Sequence, residues 1–431
     1  MSTTAKIADA GPGAGLTAGA GDNSLSAFDV EKVRADFPIL SREVYGKPLV
    51  FLDSGASAQK PRVVIDCMRE VYETYYANVH RGAHYLSQRA TDAYEEARVS
   101  IAKFMNAPSE NNIVFTSSVT ESINLVAATW GRKFLGEGDE VIISEMEHHA
   151  NIVPWQMLRD EKGIVLTIAP IRDDGSFHLE DFQACLSPRT KLVAITEVSN
   201  VLGTRVPIKE IVRLAHAQGA LVMVDGAQGI VHQGVDVQDL DVDLYGWTGH
   251  KLYGPSGIGV LYGKMEVLET MPPYQGGGDM IARVTFEKTT FQEPPHRFEA
   301  GTPPIVQAIG LGAAVKYVSD LGMDNIAAHE HGILAYANER LSQIEGFQFV
   351  GTAPDKAAII SFLVDGLHPF DVAAILDRQG VALRVGQHCA EPLMDRLGIE
   401  GTARASFGLY NSRDDVDALA RAIEKAKEML S

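Results

Sequence analysis

Val242-Asp243-Leu244-Tyr245-Gly246-Trp247-Thr248-Gly249-His250-Lys251-Leu252-Tyr253-Gly254-Pro255 is the stretch that decides the fold. It opens on an apolar and aromatic run, which predicts a short buried strand over 242–245. The chain then turns through Thr248, Gly249 and His250 to a lysine, and stops at Gly254-Pro255. Surface lysines usually sit on helix faces among other charges. A lysine held in a tight, glycine-flanked, partly apolar turn has its charge desolvated and its pKa lowered, as a nucleophilic or basic lysine requires. An ordinary loop lysine competes with that reading until the rest of the chain is considered.

Upstream, short apolar strands are predicted at 113–116, 140–143, 164–168, 191–196 and 220–224, with helical stretches between most of them. Such alternation is the pattern of a mainly parallel sheet covered on both faces. Another apolar run, Gly257-Ile258-Gly259-Val260-Leu261-Tyr262, follows Lys251 too closely for a parallel crossover, so an antiparallel hairpin partner is expected. Before the sheet come a short amphipathic helix and turn over 26–47, a strand over 49–53, a helix over 63–76, a polar loop over 78–82 and a charged helix over 90–104. After it, 276–304 is an irregular glycine- and proline-rich segment. A helix over 306–321 leads to strands at 359–364, 381–384 and 404–407, flanked by helices at 371–378 and 414–430. The expected organisation is therefore a tail over 1–25, an N-terminal segment over 26–48 packing near the small domain, a large domain over 49–305 and a small α+β domain over 306–431.

The 431 residues carry a net charge of −18, which argues against nucleic acid or an anionic membrane as the main partner. No apolar run is long enough to span a bilayer. The first 25 residues are rich in Ala, Gly, Ser and Thr, and lack both a secretory pattern and the arginines of a transit peptide; they read as a disordered tail. Three scattered cysteines, Cys67, Cys185 and Cys389, make neither a disulfide framework nor a metal site and fit a reducing cytoplasm.

In an open α/β sheet, ligands bind beyond the carboxyl ends of the strands. There the sequence puts Ser118 and Thr120, His148, Asn200, Asp225 and Gln228, and finally Thr248, His250 and Lys251. Each has an ordinary structural explanation, such as a helix cap or a loop side chain. Together they supply what pyridoxal 5'-phosphate needs. Lys251 would hold the cofactor covalently. Asp225 would keep the pyridine nitrogen protonated. Ser118, Thr120, Thr248 and His250 would receive the phosphate at a helix N-terminus. His148 would cover one ring face, and Gln228 would reach the ring oxygen.

At this point the chain resembles the class V, fold-type I pyridoxal-phosphate enzymes, and among them the cysteine desulfurases of the SufS type. The resemblance rests on Ala56-Ser57-Ala58-Gln59-Lys60-Pro61, Asn78-Val79-His80-Arg81-Gly82, Thr120-Glu121-Ser122-Ile123-Asn124-Leu125-Val126, Glu147-His148-His149-Ala150-Asn151, Asp225-Gly226-Ala227-Gln228, Gly249-His250-Lys251, Arg297-Phe298-Glu299-Ala300-Gly301-Thr302 and His388-Cys389-Ala390. It implies a seven-stranded, mainly parallel sheet between helices. It makes Asn200 and Arg404 ligands of the substrate carboxylate, with Arg384 lining the same pocket. It implies a homodimer in which Thr302 reaches the other subunit's cofactor phosphate, with His80 and Arg81 near a shared entrance. Val119 and Gln387 depart from the family's common threonine and histidine.

Cys389 decides the reaction type. Cys67 and Cys185 suit apolar packing. Cys389 lies instead in a mobile polar loop after a strand, with His388 and Arg384 nearby, a setting that favours an accessible thiolate. The expected reaction converts L-cysteine to L-alanine. Lys251 moves the α-proton, His148 assists, and Cys389 takes the sulfur as a persulfide. A SufE- or SufU-like protein would then accept it for iron–sulfur cluster assembly. The alternatives are a selenocysteine lyase or cysteine-sulfinate desulfinase on the same scaffold and, more remotely, a non-catalytic sulfur-carrier scaffold.

Overall fold

Seven strands position the site. In the computed structural model, which describes residues 28–430, they lie side by side in the order Ile113–Thr116, Gly259–Gly263, Leu244–Thr248, Leu221–Asp225, Thr190–Thr196, Glu140–Ser144 and Val165–Ala169. The last five in that order pair in parallel, and Gly259–Gly263 runs antiparallel to both its neighbours. The hairpin predicted from the short link after Lys251 is therefore present. The continuous apolar runs are explained by burial on both faces: every residue of Glu140–Ser144, Leu244–Thr248 and Gly259–Gly263 is buried. Val165–Ala169, at one edge, is mostly open to solvent. The tail expected over 1–25 lies outside the described residues.

Two boundaries near the site differ from the sequence reading. The strand predicted over 242–245 runs over Leu244–Thr248, so Thr248 ends the strand instead of belonging to the turn. The helical stretch expected after 113–116 begins as early as Val119, and Ser118 caps it by accepting a hydrogen bond from the Glu121 N–H. The Glu121 carboxylate reaches back to the Ser117 N–H. This reciprocal capping explains why the polar run Ser117–Glu121 starts a helix instead of prolonging a loop.

A second sheet is antiparallel, in the order Phe347–Val350, Ile359–Val364, Thr402–Ser406 and Arg384–Gly386. Helices Pro369–Arg378 and Arg413–Leu430 pack on it through Val372, Leu376, Val416, Leu419 and Ile423. Val50–Phe51, far earlier in the chain, pairs in parallel with Val381–Ala382, and Ser406 donates its backbone N–H to Leu52 O at 2.8 Å. The turn after residue 53 is thus anchored on this sheet. The sequence reading passed over the Met323–Leu341 helix, the Phe347–Val350 strand and the Glu391–Leu397 helix. Gly322, at φ 84°, breaks one helix and starts the next with no polar loop to mark the joint. The segment read as irregular contains a small hairpin, Ile281–Val284 with Thr289–Phe291.

Candidate active site

The strand ends converge with one wall of the second sheet on a cavity of about 230 Å³. Ser118, Thr120, His148, Asn200, Thr248, His250, Lys251, Arg384, Cys389 and Arg404 all line it. Asp225 and Gln228 are buried nearby: Asp225 Oδ1 accepts the Ala227 N–H at 3.0 Å, and Gln228 Nε2 donates to Gly55 O at 2.8 Å. The chain does not bring His80, Arg81 or Thr302 there. His80 and Arg81 line a separate hollow beside Asp279 and Glu299, with Arg81 paired to Asp279 at 3.1 Å, and Thr302 is exposed.

Lys251 follows the last strand residue by three positions. Burial pulls its pKa down from 10.5 to about 8; Asp225 opposes that shift, and Arg404 adds to it. Burial raises the Asp225 pKa, against the pull of the Ala227 N–H and Lys251. His148 is pushed down to about 4, by burial first and then by Lys251. Its Nδ1 accepts the Ala150 N–H at 3.1 Å, which leaves the ring proton on Nε2. His250 is likewise lowered to about 4, by burial and the neighbouring Lys251. The floor of the pocket therefore holds neutral imidazoles around an amine poised near neutrality.

Cys389 is exposed, whereas its neighbour His388 is buried. Both have left-handed backbone, φ 57° and 54°, an uncommon conformation for residues with a side chain. The segment is tied down, in contrast to the mobile loop expected. His149 N–H donates to Cys389 O at 2.7 Å, Asn200 Nδ2 to His388 O at 2.8 Å, and Glu391 N–H to His149 Nε2 at 3.0 Å. His388 Nε2 meets Thr402 Oγ1 at 2.9 Å. These bonds hold the strained turn at the cavity, which Cys389 lines. Cys67 and Cys185 are partly buried against the core, as read, and burial raises the pKa of each.

Arg384 and Arg404 stand directly opposite each other on adjacent strands. Arg404 is buried; its Nη1 donates to Asn200 O at 2.8 Å, and its Nε has no partner among the described residues. Asp53 lies between the two guanidinium groups. Asp53, Glu147 and His149 are the site-forming residues that sequence reasoning did not single out. Glu147 is buried beneath the strand ends, where its carboxylate accepts bonds from Ser144, Asn151 and the Thr196 N–H. Burial raises its pKa to about 7. Its place beside His148 in the Glu147-His148-His149 run was the only sequence signal.

A cofactor with a phosphate, a basic ring nitrogen and an aldehyde fits these groups on the structure's own terms. Thr248 Oγ1 is buried with no partner among the described residues, and a phosphate oxygen would satisfy it. A Cβ at Gly259 would come within 2.6 Å of Ser118 Cα, so the glycine lets the capping turn settle against the sheet. A lysine with a lowered pKa sits within electrostatic reach of a buried carboxylate.

The fold and this site define a pyridoxal-phosphate enzyme, and the chain belongs to the class-V aminotransferase family, whose profile matches residues 50–419. Pyridoxal phosphate is the cofactor of that family. Among its relatives are cysteine desulfurases. A cysteine desulfurase of Dickeya dadantii is 52% identical over 404 residues, covering 94% of this chain and 98% of that protein. A probable cysteine desulfurase of Mycolicibacterium paratuberculosis is 51% identical over 93% of this chain, but the chain spans only 58% of that protein's length. The crystal structure of the cysteine desulfurase CsdA from Escherichia coli matches with a TM-score of 0.88 at 40% identity, covering 94% of this chain and all of that one.

Proposed function

We propose that this protein is a pyridoxal-phosphate-dependent cysteine desulfurase of the SufS type, converting L-cysteine to L-alanine and taking the sulfur onto Cys389. The observation that carries the proposal is one cavity that holds a lysine of lowered pKa, a buried arginine with an unpartnered Nε and an exposed cysteine.

Lys251 would hold the cofactor covalently, Asp225 would keep its ring nitrogen protonated, and His148 and Gln228 would contact its ring. Ser118, Thr120, Thr248 and His250 would take the phosphate. When bound, pyridoxal phosphate supplies an electron sink for the substrate's α-carbon. Arg404 and Asn200 bind the substrate carboxylate, which directs the side-chain sulfur toward Cys389. Lys251, with a pKa near neutrality, takes the α-proton as a free amine. His148, neutral with its proton on Nε2, relays a proton without adding charge. The Cys389 thiolate then attacks the substrate sulfur: an S–S bond forms as the Cβ–S bond breaks, and protonation of the remaining carbon skeleton yields alanine. The exposure of Cys389 supports transfer of the persulfide sulfur to a SufE- or SufU-like acceptor for iron–sulfur cluster assembly. Thr302, His80 and Arg81 would complete the site from the second subunit of a homodimer. Among the described residues no helix is long and apolar enough to cross a membrane, which is compatible with the cytoplasmic location we propose.

The test is alanine production from L-cysteine by the cofactor-loaded protein beside Cys389→Ala. Alanine from the parent alone, with the cofactor's visible absorbance equal in both, is the expected result. Alanine from neither protein would overturn the proposal.

A further inference from the structure

Lys60 is a partly buried lysine whose ammonium meets carbonyl oxygens alone. Its Nζ donates to His250 O at 2.9 Å and to Ala58 O. Among the described residues it has no carboxylate partner, and burial, with no opposing charge, pulls its pKa down from 10.5 to about 8. At neutral pH the ammonium is still the main form. The lysine also lies just before the helix Arg62–Glu70, at the end where a cation is disfavoured. Two neutral carbonyls do not offset a desolvated charge, and a buried cation is ordinarily paired with an anion. The described residues supply none.

What the lysine touches says where an anion would come from. The His250 carbonyl belongs to the peptide group that leads into Lys251, and it also accepts the Ala58 N–H at 3.1 Å. His250 lines the cavity, and its imidazole pKa of about 4 is lowered by burial, by Lys251 and by Lys60. Lys60 itself is outside the cavity lining, but its charge reaches a residue assigned to the cofactor phosphate. The side chains given that task, Ser118, Thr120, Thr248 and His250, are all neutral near pH 7. A phosphate monoester carries a charge of about −1.5 to −2 there. The cations that do line the cavity are engaged elsewhere: Lys251 would hold the cofactor, and Arg384 and Arg404 both pair with Asp53.

We propose that Lys60 is a cofactor-binding residue: its ammonium, held against the His250 carbonyl, supplies the countercharge to the phosphate of pyridoxal phosphate. A brace for the His250–Lys251 peptide would be served equally by a neutral donor, whereas a countercharge must be a charge. Water is partly excluded around Lys60, so its field is screened less than at the surface. By linkage, the bound phosphate and the proton on Lys60 favour each other. The inference rests on the reading of this cavity as a pyridoxal-phosphate site.

The experiment titrates the full chain, stripped of cofactor, with pyridoxal phosphate and with pyridoxal, which lacks the phosphate, and follows the visible absorbance. The ratio of the two affinities isolates the phosphate. Lys60→Met should lower the affinity for pyridoxal phosphate at least about tenfold and change that for pyridoxal by less than about twofold. Lys60→Gln keeps a donor for the carbonyls without the charge, and it should lose the preference in the same way. Lys60→Arg should retain the parent's ratio. Where Lys60→Met does not fold, the Gln and Arg variants decide the question between them. A neutral variant that keeps the parent's ratio, or that loses both ligands equally, would overturn the proposal and reduce Lys60 to a brace. That failure leaves the cofactor reading intact, because the parent still prefers pyridoxal phosphate. A parent that binds neither ligand would overturn the cofactor reading and this proposal with it.

Discussion

Removing the charge at residue 251 should stabilise the cofactor-stripped protein. Burial holds the Lys251 pKa at about 8 instead of 10.5, with the attraction of Asp225 already opposing the shift. At about 1.4 kcal/mol for each tenfold change, this disfavours the charged side chain by about 3 kcal/mol. That is an upper figure, because the ammonium borders the cavity. Lys251→Met keeps the stem and deletes the charge, so at pH 7 the variant should be more stable by up to about 3 kcal/mol. The sign with pH follows from the depressed pKa. Between about 8 and 10.5 the unfolded chain binds a proton that the folded one does not, so the parent gains stability as pH rises through that window. The variant's advantage should therefore shrink to below about 1 kcal/mol by pH 10. Urea unfolding of both cofactor-free proteins at pH 7 and pH 10 gives the double difference, in which every other titrating group cancels. An advantage that is absent at pH 7, or that is the same at both pH values, refutes the claim that the fold keeps this amine at the expense of stability.

Arg404→Gln should raise KM for L-cysteine roughly tenfold to a hundredfold, the scale of one lost charge-assisted hydrogen bond, with a smaller change in kcat; steady-state kinetics checks the split. His149→Ala removes the ring nitrogen that accepts the Glu391 N–H; it should slow sulfur transfer to Cys389 while leaving the cofactor's absorbance unchanged. His148, His250 and His388 are held neutral to about 4, 4 and 3, chiefly by burial, whereas their unfolded forms take up protons near 6.5. The unfolded chain thus binds more protons below that value, and stability measured by denaturant should fall as pH drops from 6.5 towards 4. Glu299→Ala removes two of the bonds of the buried Arg98 guanidinium, at 2.7 and 2.9 Å, and leaves it the partly exposed Glu95 carboxylate at 2.9 Å; it should cost about 3 kcal/mol in the same unfolding assay.

The sheet was legible because its strands are continuous apolar runs buried on both faces, and the polar residues that follow them had to lie along one edge. The end of the Leu244–Thr248 strand was placed three residues early because Gly246, Trp247 and Thr248 continue the strand into what looks like a turn. Met323–Leu341 was hidden for a different reason. Gly322 joins two helices with no polar spacer, so the hydrophobic periodicity has no visible boundary there. In the site, Lys251, Asp225, His148 and Cys389 could be found because each is an unusual residue for its local setting. Asp53 could not. A short acidic strand end looks like any cap, and its meaning comes from Arg384 and Arg404, more than 300 positions away and paired with each other only in the folded chain. His149 reads as a repeat of His148 until its backbone and ring are both seen to bond the 388–391 segment.

The central claim is that sulfur leaves the substrate onto Cys389. The most direct measurement is a mass map of the cofactor-loaded protein after brief exposure to L-cysteine, with thiols alkylated and no reductant added. The account predicts one added sulfur atom on the peptide containing Cys389 and none on those containing Cys67 or Cys185. Alanine formed in stoichiometric amount with Cys389 unmodified, and sulfur released free or found on another cysteine, would contradict it.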